Sequence, residues 1–170
     1  MTQQFIDACI NNNINYVLEH YNYVDYITFL DGFIHARASN NIHLITHMIK
    51  TKRLTWKDAI NNTMECGVEI HNLIIDTYTE SIQKIFEFGC QEEWSHIITK
   101  CMTYLNIDWD KGIEIMESEN EEGHSHNQEV LKFVKMAKDM RDKYLQNRMN
   151  GQSINKNEPY IVNLRDLLCQ

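Results

Sequence analysis

Between Phe5 and Ile98 the chain repeats one short pattern four times: an apolar helical stripe, a polar break of Asn or Gly type, and a second stripe. Aligned on the break, the segments are FIDACINNNINYVLEHY from Phe5, FIHARASNNIHLITHMI from Phe33, AINNTMECGVEIHNLII from Ala59 and IQKIFEFGCQEEWSHII from Ile82. The breaks fall near Asn12, Asn40, Cys66 and Gly89, at spacings of 28, 26 and 23 residues. Asn and Gly tolerate the left-handed backbone that ends a helix, and an Asn side chain can cap the helix that follows. Leu44, Ile45, Met48 and Ile49 share one helical face, and Ile70, Leu73, Ile74, Ile97 and Ile98 continue the stripe in later segments. A pair this short cannot bury its own apolar face, so it must stack on its neighbours.

The expected fold is therefore all-α, a series of about five stacked helix pairs closed by a long C-terminal capping helix. The fifth pair runs through LNIDWDKGIEIMESENEEGHSHNQEVLKFVKMAKDMRDKYLQNRMN. Asp108 or Asp110 starts a helix through Met116, and Asn127 caps the next one. In that last helix Val130, Phe133, Val134, Ala137, Met140 and Tyr144 form one face, opposite a solvated basic face of Lys132, Lys135, Lys138 and Arg141. Residues 1–150 read as a single helical-repeat domain. Residues 151–170 read as a flexible connection, NGQSINKNEPY, and a short apolar segment, IVNLRDLLC, that docks back or awaits a partner.

The second segment resembles an ankyrin unit, with Ala36, Asn40 and Asn41 at the break, Leu44 and Ile45 after it, and Met48 and Ile49 as the closing apolar pair. The first shares Ala8, Asn12, Asn13 and Val17 but carries His20 and Tyr21 where the apolar pair belongs, and the fourth shares Gly89, Trp94, Ile97 and Ile98. Ankyrin repeats are near 33 residues. The shorter spacing here leaves no room for a long hairpin finger, and the opening Thr-Pro-Leu-His is absent. Degenerate units of this kind are similar to those encoded by large DNA viruses with AT-rich genomes, and the over-use of Asn and Ile agrees. The resemblance implies a protein–protein interaction module, an adaptor in the host-cell cytoplasm directed at a host protein. A plain α-helical bundle is the alternative architecture, and a homo-oligomeric virion or structural component is the alternative role.

Composition narrows the function classes. With 170 residues, 43% of them hydrophobic and only one proline, the chain can bury one ordinary core. A net charge of −8 argues against general nucleic-acid binding, which needs clustered Lys and Arg against phosphate. The N-terminal segment has no basic stretch followed by an apolar run, and no apolar run is long enough to span a membrane, so neither secretion nor membrane insertion is expected. Five cysteines without a C-x-x-C pair suit an intracellular protein with reduced thiols.

Candidate chemistry is sparse. His43 and His47 have helical metal-ligand spacing, but Leu44 stands where a zinc hydrolase needs its general base, so both are read as edging the packed face. His124 and His126, with Glu121, Glu122 and Glu129 nearby, are the most ligand-like group and remain weak metal candidates. They leave a metal-dependent hydrolase as a third reading. Cys66 and Cys90 fall at expected breaks, where a helix N-terminus could lower a thiol pKa. No phosphate loop, no Gly-x-Ser-x-Gly and no nucleophile–base constellation occurs, so neither catalysis nor a cofactor is expected. Aromatics concentrate from Tyr16 to Phe29, more than one connection needs for packing. Tyr21, Tyr23 and Tyr26, with Trp56 and Trp109 from later connections, are the expected partner-binding anchors, contacting another protein or a second copy of the chain.

Overall fold

The computed structural model describes residues 2–104, 107–120 and 127–149, and all their regular structure is helical. In order these are α1 (Thr2–Ile10), α2 (Ile14–His20), α3 (Tyr26–Ala38), α4 (Ile42–Lys50), α5 (Trp56–Asn61), α6 (Val68–Thr77), α7 (Ile82–Gln91), α8 (Ser95–Cys101), α9 (Trp109–Asn120) and α10 (Asn127–Met149). Short 3-10 turns at Tyr21–Tyr23 and Thr79–Ser81 lead into α3 and α7. The chain divides into two compact units, Met1–Ile85 and Phe86–Gln170, and the division falls inside α7. The segment 151–170 lies outside the described residues.

The four expected pairs are α1 with α2, α3 with α4, α5 with α6, and α7 with α8. Asn12 and Asn40 adopt the left-handed conformation, at φ 55° and 54°. Past each of them an amide reaches back five residues: Asn13 N–H donates to the Ala8 carbonyl at 2.8 Å and Asn41 N–H to the Ala36 carbonyl at 2.9 Å. This closure satisfies carbonyls that a helix end otherwise leaves bare. The same bond recurs from Trp94 N–H to the Gly89 carbonyl at 2.9 Å, with Glu93 left-handed at φ 57°.

That bond corrects the fourth break, which lies at 92–94 and not at Gly89. Gly89 sits inside α7, where a Cβ would stand 2.9 Å from Ile97 Cγ2, so the missing side chain lets α8 close on α7. A glycine inside a helix costs only about 1 kcal/mol, which close packing offsets. Gly89 thus corresponds to Ala8 and Ala36, and Phe86 to the equally buried Phe5 and Phe33. With Gly67 left-handed in the third break, the left-handed residues stand 28, 27 and 26 apart.

In the first unit α1 packs on α3 and α4 on α6. Helices α1 and α3 run in the same direction: Phe5 meets Phe29 with ring centroids 6.1 Å apart, and the Asn41 side chain beyond the end of α3 donates to the Cys9 and Ile10 carbonyls at 2.9 and 3.3 Å. Asn13 caps its own helix by accepting from Tyr16 N–H, whereas Asn41 caps the end of the neighbouring pair. At the opposite end Arg53 donates to the Val24 carbonyl at 2.7 Å, the Tyr78 hydroxyl to the Leu54 carbonyl at 2.8 Å, and Lys52 pairs with Glu80 at 3.1 Å. Between these two ends lie Phe5, Phe29, Phe33, Leu44, Ile45, Ile49 and Ile74, all fully buried. Each contributes about 1.5–3 kcal/mol through removal from water.

In the second unit Asp108 accepts from Lys111 N–H at 3.2 Å and starts α9 as expected. Val134 and Ala137 of α10 are buried, also as expected. The basic face of α10 is not simply solvated: Lys135 pairs with Glu117 at 2.5 Å and Lys138 with Asp110 at 3.2 Å, both on α9. At 23 residues α10 is the longest helix among the described residues.

Candidate functional site

Helix α3 begins at Asp25, whose carboxylate accepts from Thr28 N–H at 2.7 Å and is held below the ordinary carboxylate range chiefly by that bond. The helix carries apolar side chains on two opposite faces. Thr28, Phe29, Gly32, Phe33 and Ala36 are buried against the unit's core. Ile27, Leu30 and Ile34 recur at the same helical spacing on the other side, with Ile27 78% exposed and Ile34 36%. Tyr23, in the turn just before, is 70% exposed. Ile27 and Ile34 of this second stripe thus reach water, while Leu30 between them is half-buried.

The sequence candidates separate around this stripe. Tyr23 is exposed, with its ring edge-on to that of His20 at 6.5 Å between centroids. Tyr26 is exposed at its ring, but its hydroxyl donates to the Asp58 carboxylate, and burial followed by that bond pushes its pKa up. Tyr21 is half-buried with its ring 6.4 Å from that of Phe29, and Trp56 is half-buried at the start of α5. Trp109 is not a surface anchor. It is 1% exposed, its ring 6.4 Å from Phe86 and beneath the Arg141 guanidinium at 5.6 Å, so it belongs to the core of the second unit.

Sequence reasoning missed Ile27 and Ile34 because an isoleucine in a helix reads as core until the face it occupies is known. It also missed His71. Its Nε2–H donates to the Thr63 carbonyl at 3.0 Å, and the ring is 3% exposed. Counted from the helix N-caps Asn13, Asn41, Gly67 and Trp94, it stands where Val17, Ile45 and Ile98 stand, all buried, so a histidine takes the place of an aliphatic side chain there.

Neither metal nor thiol chemistry gathers around these residues. His43 and His47 are both exposed on α4, outside the packed face rather than at its edge. Among the described residues no three His, Cys, Asp or Glu side chains come together as a metal site. His124 and His126 lie outside the described residues. Cys66 is half-buried, and burial pushes its thiol pKa up, away from the lowering that a helix N-terminus could give. Cys90 is buried within α7, away from the break. Among the described residues no helix is long and apolar enough to cross a membrane.

No family model, curated protein or solved structure matches the chain.

Proposed function

We propose that the chain is a protein–protein interaction module, a degenerate ankyrin-like stack in its first unit, whose partner seats on the outward stripe of α3. The observation that carries this reading is the adjacency of Ile27, 78% exposed, and Tyr23, 70% exposed, at the start of a helix whose opposite face is fully packed. Large apolar side chains on a rigid, preordered support lose little entropy on docking, and a few such anchors supply most of an interface's affinity. The stack itself is supported by the recurring closure past Asn12 and Asn40, by α1 packing on α3 and α4 on α6, and by the bonds that tie neighbouring pairs at both ends. With the Asn- and Ile-rich composition, the same reading makes the chain a viral-type adaptor and its partner a host protein.

A photo-crosslinking amino acid in place of Tyr23 tests the proposal in cells that contain the chain. The expected result is one discrete adduct that is absent when the same group replaces Met136, an exposed residue of α10 in the second unit. Equal adducts from both positions, or none from position 23, would overturn it. An adduct of twice the chain mass, with a solution mass that rises with concentration, would replace it by the homo-oligomeric role.

A further inference from the structure

We infer that α10 is a charge-latched strap, which lifts off α9 while the rest of the second unit stays folded and so bares an apolar seat centred on Trp109.

Helix α9 is locked from behind. Gly112 lies so close to Phe86 of α7 that a Cβ there would clash with the ring, and the same Cβ would stand 3.0 Å from Cys90 Sγ. Phe86 and Cys90 are themselves fully buried, and the Trp109 and Phe86 rings lie 6.4 Å apart between centroids. These contacts join α9 to α7 and use no residue of α10.

Helix α10 is held differently. It is 23 residues long, yet among its described side chains only Val134 and Ala137 are fully buried, with Val130, Leu131, Phe133 and Met140 half-buried. The nine-residue α4, by contrast, buries Leu44, Ile45, Met48 and Ile49. Thin apolar anchoring is what lets a segment open at less cost than global unfolding.

Charge supplies the rest of the attachment. Helix α9 carries four carboxylates and one lysine, whereas α10 carries six Lys or Arg against three carboxylates, in a chain whose net charge is −8. The opposite charges meet across the two helices: Lys135 pairs with Glu117 at 2.5 Å and Lys138 with Asp110 at 3.2 Å. Lys135, Glu117 and Asp110 are all well exposed to solvent, so dissolved salt screens these pairs far more than it would a buried pair. One turn further on, the Arg141 guanidinium lies over the Trp109 ring at 5.6 Å. Backed by Phe86 and roofed by Arg141, Trp109 is closed off from water only while α10 is down. Lifting α10 uncovers the outer face of the indole and the apolar pair Val134 and Ala137, beside the carboxylates of α9.

Hydrogen–deuterium exchange of the full chain, read by mass spectrometry through residues 130–141, tests the strap. At about 0.05 M sodium chloride these amides are expected to exchange at least about tenfold faster than those of α7 and α9. At about 0.5 M they are expected to exchange about threefold or more faster again, with α7 and α9 unchanged. Glu117→Lys is expected to accelerate the same amides by about fivefold or more, and Glu117→Lys with Lys135→Glu to restore most of the protection. Circular dichroism and melting check that both variants fold, and the salt comparison needs no variant. Exchange of 130–141 in step with α9, indifference to salt, indifference to Glu117→Lys, or a charge swap that exchanges as fast as Glu117→Lys alone would each overturn the inference.

Discussion

Gly32→Ala puts the packing of α1 on α3 to a quantitative test. A Cβ at Gly32 would stand 2.8 Å from Phe5 Cε1 and 2.9 Å from Cys9 Sγ. Carbon pairs settle at about 3.5–4.0 Å, so the new methyl is roughly 0.7 Å too close to an aromatic ring. That ring cannot step aside cheaply: Phe5 is fully buried beside Phe29, and Phe29 is itself held by the Tyr21 ring and the Arg53 guanidinium. Gly→Ala in a helix returns about 1 kcal/mol of backbone preference, whereas overpacking a tight core costs about 1–3 kcal/mol, and two contacts under 3.0 Å against a buried ring and sulfur put the cost here at about 2–3 kcal/mol. The net expectation is a loss of about 1–2 kcal/mol, or a melting temperature lower by about 4–16 °C if a unit of this size unfolds cooperatively. Urea titration and thermal melts followed at 222 nm measure it. Cys9→Ala removes one of the two clashing atoms, so in the Gly32→Ala background it is expected to cost less than in the wild type, with a coupling of at least about 0.5 kcal/mol. A Gly32→Ala protein as stable as wild type or more so would refute the close approach of α1 and α3.

Other substitutions probe single devices. Asn40→Ala forces a Cβ-bearing residue without a local side-chain hydrogen bond into φ 54°, and is expected to lower stability by about 1 kcal/mol, while Asn40→Gly is neutral or stabilising in the same melts. Tyr78→Phe leaves the Leu54 carbonyl without its hydroxyl donor and is expected to cost about 1–2 kcal/mol at neutral pH. Burial, then the charge of Glu80, pushes the Tyr78 pKa up to about 12. Its neutral form is therefore the one the fold favours, and its contribution is complete below pH about 10 and lost as pH rises towards 12. Alkaline urea titrations should show that loss in the wild type and a shallower one in Tyr78→Phe. Alkylation mapped by mass should modify half-buried Cys66 before Cys9, which is fully buried with its pKa raised to about 12, and Cys9 should react only as the first unit unfolds.

Much of the local fold could be read from single residues, and the exceptions have physical reasons. Asn12 and Asn40 marked their breaks because a short amide side chain suits left-handed backbone, and the structure uses both that way. Gly89 misled because a glycine ends a helix and admits a neighbouring helix with equal ease, and only the contact with Ile97 decides between the two. The left-handed role passed to Glu93, which composition does not favour there. Asp108 announced α9, but Trp109 beside it was misread as an anchor, because exposure depends on Phe86 and Arg141, which lie far from it in sequence. The candidate face was the least legible part. Tyr23 stood out by residue type, whereas Ile27 and Ile34 differ from the core residues Phe29 and Phe33 only in which side of α3 they occupy.

The central claim is that the outward stripe of α3, with Tyr23 beside it, is where the chain meets its partner. Hydroxyl-radical footprinting of the chain, alone and with the protein that crosslinks through position 23, measures it most directly. Oxidation of Tyr23, Ile27 and Ile34 is expected to fall in the complex, while exposed Met64, Val68 and Met136 stay as reactive as before. Protection of Met64, Val68 or Met136 with Ile27 and Ile34 unchanged would place the interface elsewhere and contradict the account.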